Sequence, residues 1–239
     1  MKKNTSIKGI FFDAGDTLFE AKEAIGFYYS QTAARYGVKI EVETLDKRFK
    51  SAFKKAPPLA FPDADKETLR QLEHAWWYTL VRDVFLGTDF PRFDAFFEEL
   101  YGFFASEVPW RLFPETQSVL ASLKKSGFTL GIISNFDSRL IPICRHLGIY
   151  DYFDSIVFSS QSSVAKPHPA IFEKTLKISG LMPSESLYIG DHYQNDVVGP
   201  ESVGMSALLI ERGAHALEAD EAERIRDLRE IDVFLDKSL

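Results

Sequence analysis

Apolar runs short enough for buried strands alternate with segments of helical periodicity along most of this chain, and that alternation is interrupted once. Ile7 to Phe12 is an aromatic-rich apolar run closed by the polar loop DAGDTL, a pattern that predicts a buried first strand. From about Phe19 to Val108 the strand pattern stops. YYSQTAARYG, LDKRFKSAFKK, KETLRQLEHAWWYTLVRDVF and FDAFFEELYGFFASEV all place apolar residues at helical spacing, predicting an all-helical insertion. Pro57, Pro58, Pro62 and Pro91 punctuate it, and Asp65 and the Thr88 to Asp89 pair offer helix-start side chains near the breaks, so about four helices are expected.

From Pro114 onward the alternation resumes. ETQSVLASLKKSG, DSRLIPICRHLG, PAIFEKTLKISG and NDVVGPESVG read as helices, and FTLGIIS, SIVFSS, SLYIGD and MSALLI read as the strands between them. Such a series implies right-handed crossovers and an α/β fold with a mainly parallel sheet covered by helices on both faces. Gly127, Gly148, Gly180 and Gly204 stand just past four helical stretches, where a left-handed cap is often required. The last stretch, EADEAERIRDLREIDVFLDKSL, mixes charged and apolar residues at helical spacing and is expected to be a helix packed outside the sheet.

At 239 residues the chain has room for one buried core plus an insertion or small second domain. A net charge of -7 and a pI near 5.3 give no basic footprint for nucleic acid or an anionic membrane. Cys144 stands alone, so no internal disulfide is expected and the thiol reads as a small buried side chain. MKKNTSIKGIFFDAGD has too brief an apolar run for a signal-peptide core, and no apolar run approaches bilayer length. The expected location is the cytoplasm.

Four predicted strands end in polar groups of different chemistry: Asp13, Ser134, Lys166 and Asp191. Residues past the carboxyl ends of parallel strands converge on one crevice. Asp13 could attack an electrophilic phosphorus or carbon, though an aspartate after a strand is also an ordinary loop cap. Ser134 and Asn135 could donate hydrogen bonds to a phosphoryl oxygen, or cap a helix. Lys166, in KPHPAIF, could neutralise the nucleophile and the transferring group; His168 beside it reads as a helix-start residue. GDHYQND adds Asp196 to Asp191. Three carboxylates in one crevice repel unless one is protonated or a cation lies among them, and oxygen-only donors favour magnesium over zinc.

In that order DAGDTL, IISN, KPHPAIF and GDHYQND resemble the four motifs of the haloacid dehalogenase superfamily, across nearly the whole chain. The resemblance implies a Rossmann-like catalytic core, residues 1–18 and 109–239, with a helical cap inserted over 19–108. It implies Asp13 as nucleophile and metal ligand, Ser134 and Lys166 as phosphate binders, the Gly15 carbonyl and Asp191 as Mg2+ ligands, and Asp196 in support. The expected activity is hydrolysis of small phosphorylated metabolites through an aspartyl-phosphate, under a cap hinged near Phe19 and Pro109. Oligomeric state stays undecided between monomer and homodimer.

One position departs from the family's phosphatases, which usually carry an aspartate two residues after the nucleophile, where this chain has Gly15. Losing a positioned general acid commonly costs roughly a hundredfold to ten-thousandfold in rate. Asp16 is the nearest replacement, with a loop cap as its other role. Dehalogenase chemistry needs no such acid. Phosphonatase chemistry needs a cap lysine to form an imine, for which Lys22, Lys47, Lys50, Lys54 and Lys55 are available. A weakly active ligand-binding regulatory protein is a third reading.

Overall fold

The computed structural model describes residues 7–62, 64–212 and 222–237. Its first strand, β1 (Gly9–Phe12), is buried throughout and lies at the centre of a six-stranded parallel sheet. The others are β4 (Thr129–Ser134), β5 (Ser155–Phe158), β6 (Ser186–Gly190), β7 (Ser206–Ile210) and β8 (Arg224–Ile225), in the order β5-β4-β1-β6-β7-β8. Successive side chains of β1 take opposite faces, as a strand demands. Ile10 and Phe12 join one apolar cluster with Leu120, Ile143 and Leu228, whereas Phe11 joins another with Ile171, Phe172 and Tyr188.

Helices cover both faces: α5 (Thr116–Lys125), α6 (Leu140–His146) and α10 (Ile231–Lys237) with the first cluster, and α8 (Pro169–Ser179) with the second. Two smaller turns, α7 (Ser159–Ser162) and α9 (Gly199–Glu201), complete the set. The chain winds outward from β1 through β4 to β5, then returns to the other side of β1 as β6. Connections leaving β1 and β6 in opposite directions open a crevice at their carboxyl ends. Phe12 pairs with Ile132 on one side and Ile189 on the other, so the residues that follow these strands come out side by side.

Between β2 (Phe19–Ala21) and β3 (Trp110–Leu112) the chain forms α1 (Ile25–Arg35), α2 (Val42–Lys55), α3 (Lys66–Val84) and α4 (Phe93–Phe103). Tyr29, Leu45, Leu80, Phe85 and Phe96 give these four helices an apolar core of their own. Asp65 caps α3 by accepting from the backbone N–H groups of Glu67 and Thr68. Thr88 and Asp89 do not start a helix: α4 begins at Phe93, with no side-chain cap at Arg92.

Several sequence expectations are corrected. β2 and β3 pair antiparallel, Phe19 with Leu112 and Ala21 with Trp110, and three-residue strands are too short to carry a periodic signal. NDVVGPESVG is not one regular helix but a π-helical turn, Tyr193–Val198, followed by α9. Of the expected C-terminal helix, residues 218–221 and 238–239 lie outside the described residues. Arg224–Ile225 instead adds an edge strand to β7, and only Ile231–Lys237 is α-helical. All four cap glycines have positive φ; Gly180 ends α8 at φ 68°. Cys144 is buried in the larger cluster, and burial pushes its thiol up to about 12.

Candidate active site

Asp13 leaves β1 with its N–H donating to the Ile189 carbonyl of β6 at 2.8 Å, which pins it beside the end of that neighbouring strand. Asp191 follows β6 directly. Asp196 sits in the π-helical turn, and oxygens of Asp13, Asp191 and Asp196 lie within 4.8 Å of one another. Gly190 makes this possible, because a Cβ there would meet the Asp196 side chain at 2.4 to 2.6 Å.

Lys166 joins the same cluster by a different route from the one expected. It does not end a strand; β5 stops at Phe158, and Lys166 arrives in the loop after α7. Its buried Nζ donates to Asp13 Oδ1 at 2.8 Å, Asp196 Oδ1 at 2.6 Å and the Tyr188 hydroxyl at 2.8 Å. Burial alone would lower the ammonium's pKa, but the charges of Asp13 and Asp196 outweigh it and the net direction is upward. Lys166 therefore remains charged.

Asn135 holds that lysine rather than facing outward. Its Oδ1 accepts from the Lys166 N–H at 2.7 Å and its Nδ2 donates to the Lys166 carbonyl at 3.0 Å, a two-point clamp on the backbone. Ser134 ends β4; its hydroxyl has no hydrogen-bond partner among the described residues and is not sealed from solvent. His168 caps α8 through Nδ1, as expected, and His192 caps the π-helical turn in the same way.

The electrostatics are lopsided. Asp191 is pushed up to about 8, first by burial and then by the charges of Asp13, Asp196 and Asp16. One lysine cannot balance three carboxylates, and a hard divalent cation fits this all-oxygen donor set. Both Asp196 oxygens already accept hydrogen bonds, Oδ1 from Lys166 and Oδ2 from the His192 N–H at 3.0 Å, so Asp13 and Asp191 are the freer ligands. The Gly15 carbonyl accepts no hydrogen bond from the described residues.

Above this cluster lies a cavity of about 840 Å³ whose wall includes Gly15, Asp16, Asn135 and Lys166 from the sheet side and Tyr29, Trp76 and Trp77 from the helices. Asp16 takes φ 55°, and its N–H donates to the Phe19 carbonyl. Its side chain caps nothing among the described residues and borders the cavity, where burial and then the charge of Asp13 raise its pKa. Gly15 has open space: a Cβ there meets nothing within 4 Å.

Sequence reading missed the polar seam between α3 and the loop after β4. Glu73 of α3 accepts from the Ser138 N–H at 3.0 Å and from the hydroxyls of Ser138 and Ser160. Trp77 Nε1 donates to Asp137 Oδ2, and the Arg139 guanidinium lies 4.7 Å from the Trp77 ring and 4.3 Å from that of Tyr101. Tyr188 was also missed, although a tyrosine in a buried strand always leaves a hydroxyl to be placed. Here it donates to the Ile133 carbonyl at 2.6 Å while accepting from Lys166.

A parallel α/β sheet that gathers an aspartate, a lysine and two further carboxylates beside its strand ends places the chain among parallel α/β hydrolases with an acidic crevice. The chain belongs to the haloacid dehalogenase-like hydrolase family, whose sequence profile matches residues 7–204. It is 30% identical over 213 residues to haloacid dehalogenase-like hydrolase domain-containing protein 3 of Bos taurus, spanning 88% of this chain and 84% of that one. With the glyceraldehyde 3-phosphate phosphatase of Methanothermobacter thermautotrophicus it shares 36% identity over 115 residues, 48% of this chain and 51% of the other. A HAD phosphatase from Thermococcus onnurineus has a similar fold, with a TM-score of 0.70 at 24% identity, covering 96% of this chain and 98% of its own. A 2-haloacid dehalogenase from Pseudomonas syringae pv. Tomato DC3000 gives a TM-score of 0.67 at 25% identity, covering 98% and 100%. No helix among the described residues is long and apolar enough to cross a membrane.

Proposed function

We propose that the chain is a magnesium-dependent phosphatase of small phosphorylated metabolites, working through an aspartyl-phosphate on Asp13. The observation that carries this reading is the contact of one buried ammonium, Lys166, with both Asp13 and Asp196 inside a cluster of three carboxylates. Asp13, Asp191 and the Gly15 carbonyl would hold Mg2+, with Asp196 in support. When bound, the ion supplies positive charge that offsets the phosphoryl oxygens and the carboxylates together.

In the first step an Asp13 carboxylate oxygen forms a bond to phosphorus as the ester P–O bond breaks, and the bonding pair departs on the alcohol oxygen. Lys166, bound to Asp13 Oδ1, fixes the orientation of the attacking group and offsets the charge on the transferring phosphoryl. Ser134 offers its free hydroxyl to a phosphoryl oxygen. Asp16, bordering the cavity, gives a proton to the departing oxygen and takes one from the water that next cleaves the Asp13–phosphorus bond, releasing inorganic phosphate.

Residues 19–108 act in this reading as a cap over a core of residues 1–18 and 109–239. Their separate apolar core and their share of the cavity wall support that division. Enclosure favours a small substrate over a macromolecule. A buried lone thiol suits the cytoplasm.

Gly15 favours one second reading, carbon-centred displacement of a halide, which needs no acid; the carboxylates around Asp191 weigh against it. Imine-forming phosphonate chemistry has weaker support. Lys22, Lys47, Lys50, Lys54 and Lys55 are all exposed, and the two that border the cavity are engaged, Lys22 with the Val108 carbonyl and Lys50 with Asp46. A panel of phosphate esters, phosphonates and 2-haloacids, assayed with and without magnesium against an Asp13→Asn blank, tests the assignment. Asp13-dependent phosphate release that requires magnesium is expected. Tight ligand binding with no Asp13-dependent product would leave a binding protein instead.

A further inference from the structure

The cavity wall is mostly apolar and aromatic, yet one guanidinium is built into it. Arg139 is almost wholly buried, and its position is set by a chelate: its N–H and Nε donate to Asp137 Oδ1 at 2.9 and 3.0 Å, and its Nη2 to Asp137 Oδ2 at 2.6 Å. Trp77 Nε1 adds a further donor to the same carboxylate. Asp137 also borders the cavity, but both its oxygens accept hydrogen bonds from these donors, and Glu73 is turned to Ser138 and Ser160. Arg139 Nη1, by contrast, has no hydrogen-bond partner among the described residues and is not sealed from solvent.

Two hydroxyls share this wall. Tyr29 and Tyr101 border the cavity, and neither hydroxyl has a partner among the described residues. Burial raises the pKa of both phenols, to about 12 for Tyr101, so both present O–H donors, and the Arg139 charge acts on each of them. Three donors without acceptors, one of them cationic, face a space that also opens on Lys166, Gly15 and Asp16.

We propose that Arg139, with the Tyr29 and Tyr101 hydroxyls, is a specificity subsite that binds a carboxylate carried on the far end of the phosphorylated substrate. Planar guanidinium donors match a carboxylate, and the rings of Trp77 and Tyr101 keep the group from turning toward water. The surrounding apolar wall then suits the carbon skeleton between the two anionic ends. This inference rests on the phosphatase reading for the identity of the reacting end, but the far-end preference can be measured without turnover.

The test uses two esters that differ only in that end, para-carboxymethylphenyl phosphate and para-carbamoylmethylphenyl phosphate; the methylene insulates the leaving oxygen from the change. In the wild-type protein the carboxylate should be favoured by about tenfold or more in kcat/KM, through KM, as one charge-assisted hydrogen bond allows. The Asp137→Asn/Arg139→Gln pair, which removes both charges together, should erase the preference, bringing the two esters to equal kcat/KM. Equal handling of the two esters by the wild type overturns the proposal, as does a preference that survives in the charge-free variant. Should that variant fail to fold, Tyr29→Phe/Tyr101→Phe decides: removing the hydroxyls should cut the preference by at least about threefold, and an unchanged preference overturns the subsite. Calorimetric binding of both esters to Asp13→Asn protein separates the two claims. A carboxylate preference in binding with no wild-type turnover keeps the subsite and ends the phosphatase reading; turnover with no preference does the reverse.

Discussion

Gly190 leaves bare backbone where the Asp196 carboxylate packs, and a single methyl there would lie 2.4 Å from the carboxylate carbon. Gly190→Ala must push Asp196 away from Lys166 Nζ, loosening the ammonium that also holds Asp13. Displacements near 1 Å in a reacting constellation cost on the order of 10²-fold. We expect kcat to fall by about that factor with a smaller change in KM; phosphate release under saturating ester checks it, and wild-type kcat would mean Asp196 does not set the position of Lys166.

Gly15→Asp should gain activity. The position has room for a side chain and does not adopt a positive φ, so an aspartate fits without strain. If protonation of the departing oxygen limits the rate, alkyl phosphates should gain roughly 10²-fold and activated aryl phosphates little. A leaving-group series distinguishes the cases, and a uniform change across the series would place the limiting step elsewhere.

Asp191→Asn removes a carboxylate already pushed up to about 8 by burial and its acidic neighbours. A ligand at about a hundred times its Kd stabilises the fold it binds by about 2.7 kcal/mol. Wild-type Tm should climb with added magnesium, whereas the variant's should stay nearly flat and its metal-free Tm should exceed that of metal-free wild type. Differential scanning fluorimetry across a magnesium titration reads both; a full magnesium shift in the variant would remove Asp191 from the ligand set.

Glu73 gives a pH dependence of definite sign. Burial raises its pKa in the fold above the ordinary glutamate value, against the opposing hydrogen bonds from Ser138 and Ser160. A group whose folded pKa lies above its unfolded one contributes most stability below the unfolded value and loses it as pH rises through the folded one. Glu73→Gln should therefore gain on wild type as pH rises from about 4.5, the ordinary glutamate value, toward neutrality. Urea midpoints at several pH values test this, and a difference that does not vary with pH would sink the argument.

Asp13, Ser134 and Asp191 were legible in the sequence because each closes an apolar run long enough to read as a strand, and parallel strands deliver such residues to one edge. Lys166 was assigned to the site but not to the right element, since the α7 turn that separates it from β5 has no periodicity of its own. Roles that depend on a distant partner were hidden. Asn135 clamps a backbone 31 residues away and Glu73 reaches a serine 87 residues away, and neither spacing leaves a mark on local composition. The antiparallel β2–β3 pair was missed for the opposite reason, being local to each strand but only three residues long.

That pair has a mechanical consequence. The backbone enters the four helices through Phe19–Ala21 and comes back through Trp110–Leu112, and the two passages are stitched edge to edge, with Arg111 paired to Glu20. The helices are thus carried on one two-stranded ribbon rather than two independent cords. A ribbon bends more readily across its thin dimension than it shears within its plane, so the pair leaves the helices one direction of easy swing relative to the sheet.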